Sequence, residues 1–508
     1  MPGQSQKTSL IVPLTHPTPE AMRAGMRAAD AAGADMVECR LDYLEKVDRP
    51  ALRALLKDRP LPVIMTFRPA RQGGRFDGRE PDRLGILFTA GKLGADYLDV
   101  EDDVPESHRP RGRVILSHHD FQRRPADLDA IVARLKDSEA AVAKIAFLSQ
   151  GPEDAVTACR ILRGAGKPAI ALAMGEHGAT SRILARKFGA FGTFASLQEG
   201  AESAPGQFTI QQMKTLYRWD CIGPATAVYG VIGCPVVHSM SPAIHNAAFA
   251  HAGVDAVYVP LRIEPGPESF NRFMHALRQA PWMDFRGLSV TIPHKENALA
   301  AVGEESVDEL SRRIGAVNTI RIEADGTLRG WNSDYAAAMD ALVGAMGIRR
   351  EDLAGRNVAV LGAGGAARAI VAALTYYHAA VTIYNRTVSR GERLAAEFGA
   401  AARGREALEY LEAEILINCT SIGMYPDMDA SPIPPHVLQG VQVVFDTVYN
   451  PIETRLLREA AEAGCRTVCG VDMFVGQAAT QFETWTGRQA PRELMRKVVL
   501  KHLTDPQP

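Results

Sequence analysis

The sequence predicts an α/β protein in which an N-terminal (β/α)8 barrel, or TIM barrel, precedes an α/β unit that contains a Rossmann domain. Two observations lead to this prediction. Eight short apolar runs alternate with helical stretches over about the first 210 residues. Further along, a buried strand is followed at once by the glycine turn Gly362–Arg368 and a helix. The length of 508 residues accommodates about three domains at roughly 150 residues each.

The first part of the chain is organised by its predicted strands. The segments between them, such as Glu20–Ala32 and Pro125–Lys136, have the pattern of helices. This alternation is typical of a (β/α)8 barrel, although an open doubly wound sheet fits the strand count equally well. The predicted strands are Ser9–Leu14, Met36–Leu41, Pro62–Phe67, Asp96–Val100, Val114–Leu116, Ala141–Leu148, Ala169–Met174 and Phe191–Ala195.

Turn residues divide the rest of the chain. Gln211–Trp219 is predicted to be a closing helix, and Asp220–Thr226 carries turn residues typical of a linker. A second α/β segment begins with the strand at Val228–Gly233. A third begins at Asn357–Leu361, after the turn at Leu353–Arg356.

Composition and charge restrict the class of protein. The chain has 57 Lys and Arg against 59 Asp and Glu, so no basic excess indicates binding to nucleic acid or to an anionic membrane. No apolar run reaches the ~18 residues of a membrane-spanning helix, and the first residues, Met1–Ser5, lack a signal-peptide profile. The seven cysteines form no CxxC or Cys/His cluster, which argues against structural zinc and disulfides and predicts a reducing, cytoplasmic location.

The glycine turn predicts a dinucleotide site. Glycines allow backbone N–H groups to approach a pyrophosphate at a helix N-terminus, and the residues in question are Gly362, Ala363, Gly364, Gly365 and Ala366. The next predicted strand, Ala380–Tyr384, is followed by Asn385, Arg386 and Thr387, with Arg390 nearby. Two arginines without a carboxylate at this position favour the 2′-phosphate of NADP over the ribose of NAD. The alternative is a surface arginine cluster after an ordinary Rossmann turn.

Several polar motifs surround this cofactor prediction. Ser239 and Ser241 precede a predicted helix start, where hydroxyls and free N–H groups can bind a carboxylate. Lys295 follows a short strand, and Asn318 and Asp334 lie in turns further on. A lysine beside a ketone would stabilise the negative charge that hydride delivery develops on oxygen. Taken singly, each motif also fits a helix cap or a turn.

Together and in this order the motifs resemble the shikimate dehydrogenase family, from about Tyr229 to the C-terminus. Further matching motifs are Asn418–Gly423, Asp446–Pro451 and Gly476–Ala479. The resemblance implies that Lys295 and Asp334 form the catalytic pair and that Ser239 and Ser241 bind the substrate carboxylate. It also implies ring-hydroxyl contacts from Thr291, Asn318 and Gln477, a pocket wall at Tyr449, and cofactor contacts at Thr420 and Gly470.

The predicted barrel strands carry unusual charges. Glu38 and Arg40 lie two residues apart on one strand and therefore share its inner face. Lys144 interrupts an otherwise apolar strand. Burial and neighbouring cations disfavour an ammonium there and would free an amine to act as a nucleophile. The alternative is a lysine that extends from the barrel mouth into water.

With these charges, the segment from about Ser9 to Leu216 resembles type I 3-dehydroquinate dehydratase. The further motifs that match this family are Thr66–Arg68, His119–Phe121, Thr180–Arg182 and Ser203–Gln207. The resemblance implies that Lys144 forms an iminium with the substrate ketone and that His119 moves the proton. Glu38 is expected to pair with His119, and His118 is the rival base. Arg182 is expected to bind the carboxylate, while Arg40, Arg68, Ser203 and Gln207 hold hydroxyls and close the lid. Gln72 stands where relatives often have Glu and is left unassigned.

The two resemblances together predict a bifunctional enzyme of the shikimate pathway that makes 3-dehydroshikimate and then reduces it to shikimate with NADPH. Three alternatives stay open. The second activity is that of a dehydrogenase that also accepts quinate, the barrel is a Schiff-base aldolase, or the barrel is catalytically inactive and serves only as a binding or docking module. Neither reaction needs a metal, and the oligomeric state is left open. The predicted segments are the dehydratase barrel 1–220, the substrate domain 227–335, the Rossmann domain 336–478, and the C-terminal helical segment 479–508, which returns to the substrate domain.

Overall fold

The structure is a computed structural model, and it describes residues 7–236 and 239–504. Met1–Ser5 and the pair Val237 and His238, in the motif that contains Ser239, therefore lie outside the described residues. The chain divides into two compact units. The first is Met1–Pro242 with Asp255–Phe285, and the second is Ala243–Val254 with Arg286–Pro508.

The first unit contains an eight-stranded parallel barrel, and all eight predicted strands are present. Neighbouring strands follow the order β7-β6-β5-β4-β3-β2-β1-β8, and the N–H of Phe191 donates to the carbonyl of Ala169 at the remaining seam. The open-sheet alternative is therefore wrong. The strands are β1 (Ser9–Leu14), β2 (Met36–Arg40), β3 (Val63–Thr66), β4 (Tyr97–Glu101), β5 (Val114–Asp120), β6 (Val142–Leu148), β7 (Ala169–Met174) and β8 (Gly192–Phe194).

The barrel interior changes from apolar to charged along its axis. Near the strand starts the inward side chains are apolar, as with Ile11, Met36 and Ile115. Further along β2 and β6 the inward positions carry Glu38 and Lys144, each two residues from an apolar neighbour on that face, Met36 and Val142. Apolar packing thus supports a charged layer at the carboxyl ends, where barrel enzymes carry their active sites.

The barrel helices begin at identifiable caps. Thr18 accepts the N–H of Ala21 at the start of α1, and Asp48 accepts the N–H of Ala51 at the start of α2. The expected closing helix is instead the π-helical turn Gln212–Leu216, and Arg218, two residues beyond its end, adopts a left-handed conformation with φ 52°. The helices are α1 (Pro19–Ala31), α2 (Arg49–Leu56), α3 (Glu80–Lys92), α4 (Leu128–Asp137), α5 (Glu153–Arg163) and α6 (Ala179–Leu184).

Beyond the barrel, the first unit contains two parallel strands and a helix. These are β9 (Ala227–Gly233), β10 (Ala256–Arg262) and α8 (Pro267–Arg278). α7 (Ser241–His251) lies between β9 and β10 in the chain, and most of its residues belong to the second unit.

The second unit contains an antiparallel group of three strands, β11 (Phe285–Val290), β12 (Thr319–Ile322) and β13 (Leu328–Trp331). Helices α9 (Lys295–Val302), α10 (Glu309–Ile314) and α11 (Ser333–Met346) accompany it. Phe285 itself belongs to the first unit, and the rest of β11 belongs to the second.

The second unit also contains the predicted Rossmann sheet. Six parallel strands follow the order β16-β15-β14-β17-β18-β19, the 3-2-1-4-5-6 order of dinucleotide-binding domains. The strands are β14 (Asn357–Leu361), β15 (Ala380–Asn385), β16 (Ala401–Gly404), β17 (Ile415–Asn418), β18 (Val443–Asp446) and β19 (Arg466–Val468). The helices are α12 (Gly365–Tyr376), α13 (Val388–Phe398), α14 (Arg455–Glu462), α15 (Gly470–Thr486) and α16 (Arg492–Thr504).

Candidate active sites

A pocket at the carboxyl ends of the barrel strands gathers every residue that the sequence predicted for the dehydratase. Apolar walls from Leu172, Met174 and Phe194 enclose it, and Gln72 and Phe121 reach it from loops. The predicted residues that line it are Glu38, Arg40, Arg68, His119, Lys144, Arg182, Ser203 and Gln207. The strand ends, together with α6 and the 203–207 loop, therefore bring together groups that lie up to 169 positions apart in the sequence.

Lys144 is buried in the middle of this pocket. Its Nζ lies 2.8 Å from Asp99 Oδ2 and 3.5 Å from Glu38 Oε1, and 4.7 Å from the centre of the Phe194 ring. Two carboxylates, which the sequence reasoning did not place beside Lys144, therefore face its ammonium. Lys144 does not extend into water, since its side chain is only 5% exposed.

Asp99 and Glu101 are functional neighbours that the sequence reasoning missed. Asp99 also accepts a hydrogen bond from Ser117 Oγ at 2.6 Å and pairs with Arg68 at 2.9 Å. Burial opposes ionisation of Asp99, yet Arg68 and Lys144 hold its pKa well below the usual range. Burial raises the pKa of Glu101, which pairs with Arg68 and Arg83. The sequence signal that could have revealed Asp99 and Glu101 is two acidic residues spaced by two positions in the otherwise apolar strand β4.

His119 is half-buried at the end of β5, and its imidazole is neutral at pH 7. Burial first, and then the cations Arg68 and Lys144, lower its pKa well below 6.5. Its Nδ1 has no hydrogen-bond partner among the described residues, and its ring stacks 6.0 Å from that of Phe121. A neutral imidazole with a free ring nitrogen can accept a proton.

The expected pairing of Glu38 with His119 is wrong. Glu38 Oε1 accepts a hydrogen bond from Thr66 Oγ1 at 2.8 Å instead, because β2 pairs with β3 with Glu38 opposite Ile64, and Thr66 lies two residues further along the same face. Gln72 is the residue that contacts His119, through its Oε1 and the backbone N–H at 3.2 Å. The rival base His118 bonds to Asp102 at 3.1 Å and does not line the pocket.

Arg182 has the features of an anion-binding group. It is 1% exposed, and its Nε and Nη1 have no hydrogen-bond partner among the residues that the structure describes. Burial lowers its pKa to about 10, which leaves it charged at neutral pH. By contrast, Arg40 forms a bidentate pair with Asp42 at 2.9 and 2.7 Å. An incoming carboxylate would satisfy the free nitrogens of Arg182.

The second unit brings together the predicted dehydrogenase pair. Lys295 is the first residue of α9, and Asp334 lies in the first turn of α11. Their side chains meet at 2.5 Å, Lys295 Nζ to Asp334 Oδ2. Asn332, which the sequence reasoning left unassigned, accepts the N–H groups of Asp334 and Tyr335 as the N-cap of α11.

Most of the other predicted substrate residues form hydrogen bonds. Asn318 is buried, and its Oδ1 accepts the N–H of Ser333 at 2.7 Å, one residue before Asp334. Gln477 lies on α15, and Tyr449 stacks on Phe474 at 5.0 Å between ring centres. Thr291 follows β11 directly, and its carbonyl accepts the N–H of His294. In the first unit, Ser239 Oγ accepts the N–H of Ser241 at 3.3 Å.

The glycine turn after β14 fits the pyrophosphate of a dinucleotide. Gly362 has φ 104°, and a Cβ there would lie 3.2 Å from both Thr420 Cγ2 and Cys419 O. Gly364 and Gly365 face open space at the start of α12, with Ala363 and Ala366 beside them. The backbone can therefore approach a phosphate closely, and the helix N-terminus favours its charge.

The residues after β15 fit a 2′-phosphate. The side chains of Arg386 and Arg390 are exposed, and neither makes a hydrogen bond or ion pair with any described residue. Asn385 Nδ2 donates to the carbonyl of Thr387 at 2.8 Å and holds the turn. Gly470 begins α15, and a Cβ there would lie 2.5 Å from the carbonyl of Thr447, so this position admits only glycine.

The two units therefore define an enzyme of two activities: a barrel with a buried lysine and a neutral histidine, and a dehydrogenase with a Rossmann cofactor site. Family models match the chain in the same order. Residues 10–224 match type I 3-dehydroquinase, and residues 231–320 match the shikimate dehydrogenase substrate binding domain. Residues 346–425 match shikimate/quinate 5-dehydrogenase, and residues 470–500 match the shikimate 5′-dehydrogenase C-terminal domain.

Individual proteins are similar as well. The chloroplastic bifunctional 3-dehydroquinate dehydratase/shikimate dehydrogenase of Arabidopsis thaliana is 41% identical over 500 residues, covering 93% of this chain and 81% of the relative. The NADP+-dependent shikimate dehydrogenase of Methanosarcina acetivorans is 43% identical, covering 54% of this chain and 98% of the relative. A crystal structure of a shikimate dehydrogenase with NADP+ is 36% identical with a TM-score of 0.50, and the match covers 56% of this chain and 97% of that one.

The chain belongs to the family of bifunctional 3-dehydroquinate dehydratase/shikimate dehydrogenases. It combines a type I 3-dehydroquinase, a lyase, with an NADP-dependent shikimate dehydrogenase, an oxidoreductase, and acts on small molecules. No helix in the described part of the chain is long and apolar enough to cross a membrane.

Proposed function

We propose that the barrel dehydrates 3-dehydroquinate through a Schiff base on Lys144. The observation that carries the proposal is the burial of Lys144 in the same pocket as the neutral His119. The Lys144 amine adds to the substrate ketone and releases water, which gives an iminium. His119 takes a proton from the adjacent carbon, the electron pair moves toward the iminium, and the β-hydroxyl leaves as water with a proton returned by His119. Hydrolysis of the iminium then frees the product and Lys144.

The remaining pocket residues bind and position the substrate. Arg182 takes the carboxylate on its two free nitrogens. Arg40, Ser203 and Gln207 hold hydroxyls at the mouth, where Gln207 Nε2 donates to Ser203 Oγ at 3.1 Å. Arg68, Asp99 and Glu38 set the charge around Lys144. Two carboxylates stabilise the iminium cation as they stabilise the ammonium.

We propose that Lys295 and Asp334 assist the reduction of 3-dehydroshikimate to shikimate. NADPH supplies the hydride when it is bound. Lys295 donates a proton to the ketone oxygen as negative charge develops there, and Asp334 holds the ammonium in place at 2.5 Å. The substrate contacts are Ser239 and Ser241 for the carboxylate and Thr291, Asn318 and Gln477 for the ring hydroxyls, with Tyr449 along the wall. NADP would be held by residues 362–366, Thr420 and Gly470, with Asn385, Arg386, Thr387 and Arg390 at its 2′-phosphate.

We propose the domain limits 1–220 for the dehydratase, 227–335 for the substrate domain, 336–478 for the cofactor domain and 479–508 for the C-terminal helical segment. A cytoplasmic location is supported by seven free cysteines, which a reducing compartment maintains. Quinate is the one competing substrate that a specific observation favours, because one matching family model includes quinate dehydrogenases.

Borohydride trapping tests the Schiff base. Incubation with 3-dehydroquinate and borohydride should add the mass of the reduced ligand to Lys144 alone and inactivate the dehydratase, while the dehydrogenase continues. Lys144→Ala should take up no label and lose the dehydratase activity. An Lys144→Ala protein that dehydrates at the wild-type rate would refute the assignment. Assay of NADP+ reduction with shikimate and with quinate decides between the two dehydrogenase specificities.

A further inference from the structure

The segment that carries Arg182 is short and fully buried. Arg182 lies on α6, whose six residues Ala179–Leu184 are all buried, just after the loop that follows β7. A helix of this length has little stability of its own. Its position, and with it the position of the Arg182 guanidinium, must therefore be fixed by the groups that pack around it.

The strand β10 and the residues just after it supply part of this packing, although they follow the barrel in the sequence; β7 contributes as well, since Ser181 Oγ accepts the N–H of Ala173 at 3.1 Å. Thr180 Oγ1, in a buried side chain, donates to the carbonyl of Pro260 at 2.8 Å. His177 Nε2 lies 3.0 Å from Glu264 Oε1, and Arg262 forms an ion pair with Glu176. All of these residues belong to the first unit. The carbonyl of Pro260 with the side chains of Arg262 and Glu264 is called here the β10 anchor.

The same loop reaches the other side of the pocket. The N–H of Gly175 donates to the carbonyl of Pro205 at 3.0 Å, and Arg182 Nη2 lies 3.4 Å from the same carbonyl. Gly206 packs so closely that a Cβ would lie 2.3 Å from the carbonyl of Gly175. The loop with Ser203 and Gln207 is thus attached to the segment that the β10 anchor holds.

We propose that the β10 anchor is a positioning device for the dehydratase: through Thr180, Glu176 and His177 it sets the place of Arg182 and of the 203–207 loop, and so determines the affinity for 3-dehydroquinate. The inference rests on the proposed role of Arg182 as the carboxylate-binding group. A displacement of about 1 Å is enough to weaken such a bidentate contact strongly. The buried bond from Thr180 carries most of the effect, because exposed ion pairs contribute little.

Variants of the full chain test the anchor. Thr180→Val removes the buried donor, and Arg262→Ala removes the ion pair from the side of β10. We expect Thr180→Val to raise the KM for 3-dehydroquinate about fivefold, and Arg262→Ala to raise it about twofold. In both variants the dehydratase kcat and the dehydrogenase kinetics should stay within about twofold. Arg262→Lys keeps the charge and should restore the wild-type KM.

The chain offers a matched control in Arg272→Ala. Arg272 on α8 pairs with Glu153 on α5 at 3.4 Å, so it joins the same two parts of the first unit away from α6. This variant should leave the KM unchanged. If Thr180→Val and Arg262→Ala also leave it unchanged, or lower only kcat, the anchor inference is wrong.

Arg182→Ala separates this result from the proposed function. A large rise in KM for Arg182→Ala, with wild-type behaviour of both anchor variants, would overturn the anchor and keep the carboxylate role. An unchanged KM for Arg182→Ala would overturn both. Urea unfolding of each variant shows whether a raised KM accompanies a loss of global stability. If Thr180→Val lowers the global stability, the KM of the stable Arg262→Ala variant decides whether the anchor inference holds.

Discussion

At the level of single residues, the charges of the barrel pocket keep His119 neutral and Asp99 ionised. Because burial, Arg68 and Lys144 lower the pKa of His119 well below 6.5, its imidazole stays able to accept a proton as the pH falls through 6.5. The acid limb of kcat/KM for the dehydratase should therefore lie below pH 6.5. His119→Gln should lose about 10²-fold or more in kcat. A pH–rate profile of the wild type and of His119→Gln measures both the acid limb and the loss in kcat. An acid limb at or above pH 6.5 would contradict the prediction of a neutral His119.

The unpaired arginines after β15 determine the choice of cofactor. Arg386→Asp places a negative charge beside the 2′-phosphate, so the KM for NADPH should rise about tenfold or more, while the KM for NADH changes little. Arg393→Asp is the control, since Arg393 lies on α13, the helix that follows Arg386, and is also exposed. Steady-state kinetics with both nucleotides measure the ratio. An equal change for NADH and NADPH in Arg386→Asp would remove the 2′-phosphate assignment.

Asp446 in β18 couples stability to pH. Burial raises its pKa from 3.8 to about 6, against the hydrogen bonds from Thr454, the N–H of Val448 and Asn418. The folded state therefore keeps a proton that the unfolded state releases between about pH 4 and 6, and the unfolding free energy contributed by Asp446 falls by about 3 kcal/mol over that range. Asp446→Asn lacks this loss and should gain stability relative to wild type as the pH rises from 4 to 8. Urea unfolding at both values measures the difference; a pH-independent difference would refute it.

At the level of elements, the apolar alternation of the strands was sufficient to predict all eight barrel strands and the first two Rossmann strands. Lys144 could be identified from the sequence because a charged side chain in a buried apolar strand is costly and contributes nothing to apolar packing. The predicted pairing of Glu38 with His119 was wrong because the contacts of Glu38 depend on which strand lies beside β2 and in what register. These are set by the closure of the barrel, and they bring Glu38 to Thr66 on β3. Asp99 escaped notice because its partner Lys144 is 45 residues away, and single-strand reasoning gives no cross-barrel distances.

The cap of α11 shows how an element positions a catalytic group. Asn332→Ala removes the side chain that accepts the N–H groups of Asp334 and Tyr335. We expect a loss of about 1 kcal/mol in stability and at least a tenfold lower dehydrogenase kcat, with the dehydratase unchanged. Asp48→Ala removes a comparable cap from α2 in the barrel and should leave the dehydrogenase kcat intact. Equal dehydrogenase losses in both variants would show a general stability effect.

At the level of the whole molecule, one chain carries two consecutive reactions, and the product of the barrel is the substrate of the second unit. The sequence order of the matching families predicts this combination, but it does not require direct transfer, because two open sites can exchange the intermediate through water.

Free exchange has a measurable consequence. Lys144→Ala lacks only the first reaction and Lys295→Ala only the second, so an equimolar mixture with 3-dehydroquinate and NADPH should form shikimate after a lag. The lag reflects the build-up of free 3-dehydroshikimate and should shorten as Lys144→Ala is added in excess, because that variant consumes the intermediate. Wild-type protein at the same concentration should show the same kind of lag. A wild-type reaction without a lag, beside a mixture that keeps one, would show that the intermediate passes within a single chain.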